Sequence, residues 1–130
     1  IADKVMFLGN SNEIDRILCF TDIFLLPSEK ESFGLSALEA MINSVAVVSS
    51  NTGGLPEVNQ HGVTGFLSDV GDVDDMVVNA LKLLKDDQLL ETFKKQAFEV
   101  ACQFDLQNVL PMYEEIYREA YKWRYKNAFD

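Results

Sequence analysis

The chain has 130 residues, of which 48% are hydrophobic, so length and composition predict one globular domain spanning residues 1–130. Its net charge of -10, from 21 acidic against 11 basic residues, excludes nucleic acid and anionic membrane as expected partners, because phosphate groups are bound by clustered Lys and Arg. The chain begins at Ile1 and shows no signal peptide and no apolar run of about 20 residues, so we expect a cytoplasmic protein and a piece of a longer one.

The amino-terminal part of the chain reads as a strand followed by a helix. Apolar side chains predict a strand over Lys4–Leu8, and the polar turn Gly9–Asn12 leads into a helix over Glu13–Phe20. Gly9 and Asn10 are either plain turn and capping residues or part of a binding loop. The pattern alone leaves both interpretations open.

The next stretch combines a buried strand, a loop and the start of a helix. Ile23–Leu26 is an apolar run, and Pro27–Met41 ends in the apolar periodicity of a helix whose first turn should hold Gly34, Leu35 and Ser36. N–H groups in a first turn lack intrahelical partners and lie at the positive end of the helix dipole. Gly34 has no Cβ and would let a phosphate approach the backbone closely. The loop therefore predicts an anion site.

Two carboxylates, Glu31 and Glu39, bracket the predicted anion site. A carboxylate repels a phosphate but accepts hydrogen bonds from neutral hydroxyl groups, so the combination suits a sugar nucleotide. A second interpretation is open, because Ser28 with Glu31 and Ser36 with Glu39 each fit the S-x-x-E pattern of a helix capping box. On spacing alone, capping is favoured over ligand binding because caps are far commoner than sites.

Further along the chain, strands and helices alternate. Val45–Ser49 and Gly65–Ser68 read as parallel strands buried on both faces, and Val73–Leu84 and Asp87–Phe104 as amphipathic helices, the second capped by Asp86. The alternation predicts an α/β fold with a doubly wound, Rossmann-like parallel sheet and right-handed crossovers.

The loops around the second strand carry three further predictions. Thr52-Gly53-Gly54 follows that strand, where missing side chains would leave room for a substrate or simply permit a tight turn. Glu57 is expected in the first turn of a short helix, where the dipole favours an acid. Asn43 is expected to supply a left-handed turn before the strand.

The cysteine and histidine pattern predicts no metal site. Cys19 and Cys102 fit no metal or redox spacing and lie on apolar helix faces, so we expect reduced, buried thiols. His61 is the only histidine and is expected to be a turn residue.

A last helix is predicted from after Asp105 to about Lys126. It carries an aromatic group: Tyr113, Tyr117, Tyr121, Trp123 and Tyr125. A stripe of this kind usually packs against the body of its own protein.

Three ordered motifs carry a family resemblance: P-S-E-K-E-S-F-G-L-S-A-L-E-A-M, S-S-N-T-G-G-L-P-E and H-G-V-T-G-F-L. They resemble the carboxyl-terminal domain of the retaining glycosyltransferases of family four, which are two-domain enzymes of the GT-B fold. The hallmark of that family is two glutamates separated by seven residues, which Glu31 and Glu39 match. The similarity spans about residues 5–105, and the chain departs from the family where Ser44 and Ala46 replace the usual Gly and Pro.

The resemblance implies that the domain binds a nucleotide sugar, expected to be a UDP-sugar, and that the complete enzyme transfers the sugar with retention. The segment S-E-K-E-S-F-G-L is similar to the corresponding segment of family members that join N-acetylglucosamine to L-malate. This similarity suggests UDP-N-acetylglucosamine as the donor and L-malate or a glycan as the acceptor. An acceptor domain, and a loop whose Arg and Lys clasp the diphosphate, would lie upstream. The last helix would cross back to the acceptor domain, so part of its aromatic stripe would be exposed in this chain. No metal or cofactor is implied, and a membrane contact would come only through the missing domain.

Family roles carry over to the matching positions. Glu31 would hold a hydroxyl of the donor sugar and is the expected catalytic residue, and Glu39 would accept hydrogen bonds from the ribose diol. Four backbone amides would bind sugar and diphosphate oxygens: Phe33, Gly34, Leu35 and Ser36. Two further loops would complete the site: Gly53 and Gly54 near the donor sugar, and Gly9 and Asn10 near the base.

Two other functions fit the same fold. One is a catalytically silent nucleotide-binding or interaction module, because a fold does not fix a function. The other is a nucleotide-sugar epimerase of GT-B architecture, which acts on the donor itself. An upstream Gly-rich loop with Arg and Lys favours the transferase over the silent module, and product analysis separates it from the epimerase.

Overall fold

The structure is a computed structural model that describes residues 1–126; for residues 125 and 126 it describes the helical backbone alone. Strands and α-helices alternate up to residue 84, and two further α-helices follow without a strand between them. The strands are β1 (Ile23–Leu26), β2 (Ala46–Ser50) and β3 (Gly65–Ser68). The helices are α1 (Ile14–Leu18), α2 (Leu35–Ile42), α3 (Leu55–Val58), α4 (Val73–Leu84), α5 (Asp87–Ala101) and α6 (Leu106–Lys126). Short 3-10 helices cover Ala2–Lys4 and Cys102–Phe104.

The strands form one parallel sheet in the order β1, β2, β3. Ile23 lies opposite Ala46, and Val47 lies opposite Gly65. Parallel strands end at the same edge of a sheet, so the β1–α2 and β2–α3 loops meet there. The first and third strands have the predicted limits, and the second is shifted by one residue.

Both faces of the sheet are covered, as the alternating side chains of β2 show. Val47 packs in one cluster with Met41 of α2 and Leu55 of α3, whereas Ala46 and Val48 pack in a second cluster on the other face. The second cluster also contains residues of β3, α4 and α5: Phe66, Leu83, Leu90 and Phe93. The sheet is therefore doubly wound, which confirms the predicted α/β fold class.

The segment Lys4–Leu8 does not form the predicted strand. A 3-10 helix ends at Lys4, and the four apolar residues after it are irregular and between 52% and 95% exposed. A strand needs a neighbour that satisfies its backbone N–H and C=O groups, and within residues 1–126 no strand pairs with this segment. The following helix α1 is also shorter than predicted and ends at Leu18.

The turn after α2 is left-handed at Ser44 and not at the predicted Asn43. Ser44 has a φ of 58°, whereas Asn43 has a φ of -88° and is the C-cap. Ser44 N donates to Met41 O at 2.9 Å and Val45 N donates to Ala40 O at 3.1 Å, which are the two bonds of a Schellman motif. The side chain of Asn43 is used instead to bond a carbonyl of α2.

The cysteines are less buried than predicted. Cys19 is exposed, and Cys102 is half-buried in the 3-10 helix after α5. Leu18 takes the buried position at the end of α1, and Cys19 Sγ donates instead to Asn43 Oδ1 at 3.7 Å. Both thiols are free, as predicted.

The last helix α6 follows the predicted course, and the aromatic side chains described on it are largely exposed. Tyr113, Tyr117 and Tyr121 are 57%, 71% and 63% exposed, and Trp123 is exposed as well. The side chain of Tyr125 lies outside the described residues. Along residues 1–126, no helix is both long enough and apolar enough to cross a bilayer.

Candidate functional site

The β1–α2 loop ends in a group of backbone N–H donors. Gly34, the N-cap of α2, is left-handed with a φ of 100°. The first hydrogen bonds of α2 run from the N–H groups of Ala37 and Leu38 to Gly34 O, at 3.0 and 3.1 Å. Within residues 1–126, the N–H groups just before these make no hydrogen bond: Phe33, Gly34, Leu35 and Ser36. They are unpaired donors at the positive end of a helix dipole, where anions bind.

Gly34 is buried, and the side on which another residue would carry its Cβ faces α3. A Cβ on Gly34 would lie 2.9 Å from Leu55 Cδ2, closer than real Cβ contacts come. The positive φ and this contact both favour glycine, and together they hold the start of α2 close to α3. A ligand would therefore reach Gly34 from its N–H side.

Glu31 and Glu39 do not cap helices. Neither Ser28 nor Ser36 makes a side-chain hydrogen bond within residues 1–126, so the capping interpretation is wrong. Glu31 is half-buried, and its Oε1 accepts a hydrogen bond from Ser32 N at 3.0 Å. Glu39 is exposed, and over the same range of residues its carboxylate has neither a hydrogen bond nor an ion pair.

Glu39 opens onto a cavity of 460 Å³ between α2 and the start of α6. One wall consists of residues of α2: Leu35, Leu38, Glu39 and Ile42. The other wall consists of residues around the second 3-10 helix and the start of α6: Ala101, Cys102, Phe104, Asp105, Gln107 and Asn108. The volume is within the range of about 300–1,000 Å³ that small-molecule pockets occupy.

Phe33 connects the loop to the same wall. Its ring is 40% exposed and meets the Phe104 ring edge-on, with 6.0 Å between centroids and 76° between planes. Such aromatic pairs stabilise by about 0.5–1.5 kcal/mol beyond their area burial. The contact therefore fixes the end of the β1–α2 loop against the chain that leads into α6.

The predicted glycines of the β2–α3 loop lie against the β1–α2 loop. Gly54 N donates to Glu31 O at 3.4 Å. An added Cβ on Gly53 or Gly54 would collide with backbone atoms of Glu31, Ser32 or Phe33. The structure thus brings both glycines together with Glu31 and the unpaired amides.

Of the other predicted positions, Glu57 adjoins this group, since its N–H donates to Gly54 O at 3.1 Å. Gly9 and Asn10 are exposed in the irregular segment before α1, and no hydrogen bond within residues 1–126 joins them to the β1–α2 loop. Glu57 is exposed in the first turn of α3, as expected. His61 is a turn residue, as predicted, and its Nδ1 accepts a hydrogen bond from Leu67 N at 3.0 Å. In the described part of the chain, no group of three or more His, Cys, Asp or Glu is placed to hold a metal ion.

The charges around the loop are mostly negative. Lys30 is the only Lys or Arg between Arg16 and Lys82, and no ion pair involves it in residues 1–126. Glu29 and Glu31 flank it in sequence. Attraction of an anion by this part of the chain would therefore come chiefly from backbone N–H groups and not from side-chain cations.

Sequence reasoning missed the contribution of Phe104 and Asp105. The available signal was Asp105 as a helix start, since its Oδ1 accepts a hydrogen bond from Gln107 N at 2.8 Å. That signal locates the start of α6 but not its position beside α2. The position results from tertiary packing between residues far apart in sequence.

A doubly wound parallel sheet whose β1–α2 loop presents unpaired amides beside two carboxylates belongs to the open α/β class, in which ligands bind at loops of this kind. Residues 1–100 match the family described as glycosyl transferases group 1, so the chain belongs to this family. The match confirms the family resemblance of the three motifs.

Similar proteins agree with this assignment. The chain is 44% identical over 118 residues to the N-acetyl-alpha-D-glucosaminyl L-malate synthase of Bacillus anthracis, covering 90% of this chain and 31% of that protein. It is 38% identical over 97 residues to a sulfoquinovosyl transferase of Arabidopsis thaliana, covering 72% and 19%. A solved structure, Anabaena HepE in complex with UDP, has a TM-score of 0.86 and 28% identity over 91% of this chain and 33% of that one. The chain thus spans about a third or less of these proteins, and its fold is part of the GT-B glycosyltransferase fold.

Proposed function

We propose that this chain is the nucleotide-sugar-binding domain of a retaining glycosyltransferase. The observation that carries the proposal is the run of unpaired N–H groups from Phe33 to Ser36 beside the carboxylates of Glu31 and Glu39. Amides at a helix start bind phosphate oxygens, and carboxylates accept hydrogen bonds from sugar hydroxyls. A nucleotide diphosphate sugar carries both kinds of group. The similarity to HepE, which was solved with UDP, supports a uridine nucleotide.

Glu39 is assigned to the ribose diol. Its carboxylate is exposed and unpaired within residues 1–126, and it opens onto the 460 Å³ cavity. A carboxylate beside the diphosphate would be repelled, whereas the two hydroxyls of a ribose can donate to its two oxygens. The base is assigned to the backbones of Gly9 and Asn10, in the segment before α1.

Glu31 is assigned to a hydroxyl of the donor sugar as the catalytic residue. The N–H of Ser32 holds Oε1 at 3.0 Å, which leaves the other oxygen to accept a hydrogen bond from the substrate. Gly53 and Gly54 border the sugar side of the loop. Catalysis then rests on positioning the donor and on stabilising the departing diphosphate through the amides of Phe33–Ser36. The scheme uses no metal and no cofactor besides the donor.

The proposed site needs parts from outside this chain. A diphosphate is best held by cations, and Lys30 is isolated among carboxylates. As the family resemblance implies, we assign an Arg and a Lys to an upstream loop of the full-length protein, and the acceptor to an amino-terminal domain. The exposed apolar side chains of α6, such as Leu110 and Tyr117, support a second domain because surfaces of this kind are usually covered. A cytoplasmic location stays a prediction.

The donor proposed is UDP-N-acetylglucosamine, and the acceptor proposed is L-malate. Support comes from the 44% identity to the Bacillus anthracis synthase, whose name specifies both groups. The Arabidopsis relative is named for a different sugar, so a panel of UDP-sugars is the direct test of the donor.

The binding proposal is tested by replacing Glu39 in the full-length protein. Glu39→Gln keeps the size of the side chain but removes its charge, and we expect UDP to bind about tenfold more weakly, because a charge-assisted hydrogen bond contributes about 1.5–3 kcal/mol. Glu57→Gln is the matched control, since Glu57 is also exposed but lies in α3. Calorimetry that finds the same UDP affinity in Glu39→Gln and wild type would remove the assigned role.

Product analysis distinguishes the three possible activities. UDP-N-acetylglucosamine is incubated with the full-length protein, with and without L-malate, and the products are identified by mass spectrometry and NMR. Transfer predicts a glycoside only when the acceptor is present, and retention predicts the α-anomer from the α-linked donor. An epimerised free donor indicates the epimerase, and binding without turnover of any donor in the panel indicates the silent module.

A further inference from the structure

The segment Thr52–Leu55, which joins β2 to α3, lies along the β1–α2 loop. Thr52 Oγ1 donates to Glu29 O at 3.4 Å, and Gly54 N donates to Glu31 O at 3.4 Å. At the far end, the side chain of Leu55 packs against Gly34. Residues at both ends and in the middle of this segment thus contact successive positions of the loop that carries the proposed site.

Because Gly53 and Gly54 have no side chain, the backbone of this segment can contact the backbone of the β1–α2 loop. A Cβ on Gly53 would lie 1.6 Å from Glu31 O, and a Cβ on Gly54 would lie 2.8 Å from both Ser32 O and Phe33 Cα. These neighbours are backbone atoms, which are unable to rotate away as the end of a side chain can. A side chain at position 53 or 54 would therefore displace the β1–α2 loop.

At Gly54, glycine is required by close contacts with the β1–α2 loop and not by the backbone conformation. Its φ of -81° and ψ of -5° are right-handed values that other residue types adopt, so its backbone conformation does not demand glycine. It is also buried, on the side of the loop that carries Ser32 and Phe33. The close approach to these two residues is what excludes a larger residue at this position.

We propose that Thr52, Gly53 and Gly54 are positioning residues of the nucleotide-sugar site, an inference that rests on the function proposed above. They set how deeply the β1–α2 loop sits, and therefore where Glu31 and the amides from Phe33 onward are directed. Hydrogen bonds of 3.4 Å are long, so the direct backbone contact fixes the loop more firmly than the bonds do. In this arrangement the glycines act through the loop and not by contact with the ligand.

The test compares Gly54→Ala with Gly62→Ala in the full-length protein. Gly62 has a φ of 78° and nothing within 4 Å of an added Cβ, so its alanine strains the backbone without displacing a neighbour. A misplacement of about 1 Å can lower the rate of an enzyme about 100-fold. Because Gly54→Ala would displace the amides that bind the diphosphate, we expect its UDP affinity to fall about tenfold. In Gly62→Ala we expect UDP affinity within about twofold of wild type, even where its alanine lowers stability. Calorimetry gives both affinities.

A second measurement reports on the loop without a ligand. The N–H groups of Ala37 and Leu38 bond to Gly34 O, so their hydrogen exchange follows the end of the loop. We expect exchange about tenfold faster in Gly54→Ala than in wild type, and unchanged in Gly62→Ala. Wild-type affinity in Gly54→Ala overturns the proposal. So does weaker affinity with unchanged exchange, which would show that Gly54 contacts the ligand itself.

The two proposals fail in different ways. If wild-type protein binds no UDP, the proposed function fails, and the exchange comparison alone decides the positioning role. If Gly54→Ala does not fold, the positioning role is tested with Thr52→Val and Thr52→Ser. Of these two variants, only Thr52→Ser keeps the hydroxyl that donates to Glu29 O. We then expect Thr52→Val to weaken UDP binding about threefold and Thr52→Ser to retain it, because one weak hydrogen bond is lost. Equal affinities in these two variants would overturn the proposal.

Discussion

Asn59 connects β2 and β3 through one fully buried side chain. Its Nδ2 has three acceptors within hydrogen-bond distance, which share its two N–H groups: Val47 O at 3.2 Å, Ser49 Oγ at 2.9 Å and Phe66 O at 3.1 Å. Its Oδ1 accepts a hydrogen bond from Thr64 Oγ1 at 2.9 Å. Water does not reach these groups, so no solvent molecule replaces a bond that is lost. The side-chain amide of Asn59 therefore joins β2 to β3. Both strands end at the sheet edge where the candidate site lies.

We expect Asn59→Asp to lower the free energy of unfolding by about 3 kcal/mol, although the two side chains have the same shape. The new carboxylate would place an acceptor against two carbonyl oxygens, at Val47 and Phe66. Asn51→Asp is the control, because Asn51 is exposed and should change stability by less than about 0.5 kcal/mol. Urea unfolding of both variants measures the difference, and equal stabilities would contradict the role given to Asn59.

Within the elements, the end of α2 carries an unfavourable residue. Ser44 occupies the left-handed position of the Schellman motif, where glycine is usual. We expect Ser44→Gly to stabilise the protein by about 0.5–1 kcal/mol, since a left-handed L-residue costs about 1–2 kcal/mol and the flexibility of glycine offsets part of that. Ser44→Ala keeps the strain and should leave stability nearly unchanged. A Ser44→Gly variant no more stable than Ser44→Ala in urea unfolding would argue against strain at this turn.

Elements with strong local signals were predictable from the sequence. Asp72 and Asp86 cap α4 and α5 by accepting hydrogen bonds from Asp75 N at 2.9 Å and Leu89 N at 3.0 Å. Caps and apolar periodicity lie within a few residues of each other, so they locate a helix without knowledge of the fold. The strands β1 and β3 are short apolar runs bounded by turns, and they were located for the same reason.

Elements that depend on a distant partner were not predictable. Lys4–Leu8 has the composition of a strand, but a strand exists only when another strand pairs with it. At the site, the Gly34 turn and the free amides followed from local pattern. The packing of Thr52–Leu55 against the β1–α2 loop, and of Phe104 against Phe33, joins residues far apart in sequence. No spacing rule within one segment reports such contacts.

At the scale of the whole molecule, the net charge of -10 opposes an anionic ligand. At physiological ionic strength that repulsion is screened beyond about 8 Å, whereas hydrogen bonds from N–H groups act at contact distance. Local donors can therefore hold a phosphate on an acidic domain. We expect long-range attraction to come from cations elsewhere in the full-length protein.

The exposed face of α6 leads to a prediction about that full-length protein. Leu110, Tyr113 and Tyr117 recur at three- and four-residue spacing and are 47%, 57% and 71% exposed in this chain. Isolated domains rarely present so many large apolar side chains along one helix, so we expect another part of the protein to cover this face. A charge placed there would then be buried without a partner.

Tyr117→Glu in the full-length protein should therefore lower the free energy of unfolding by about 2 kcal/mol or more. Val78→Glu is the comparison, because Val78 is a 50% exposed apolar residue on a different helix, α4. We expect that variant to stay within about 0.5 kcal/mol of wild type, as surface substitutions usually do. Chemical unfolding followed by tryptophan fluorescence measures both. Wild-type stability in Tyr117→Glu would show that α6 stays exposed to solvent in the complete protein.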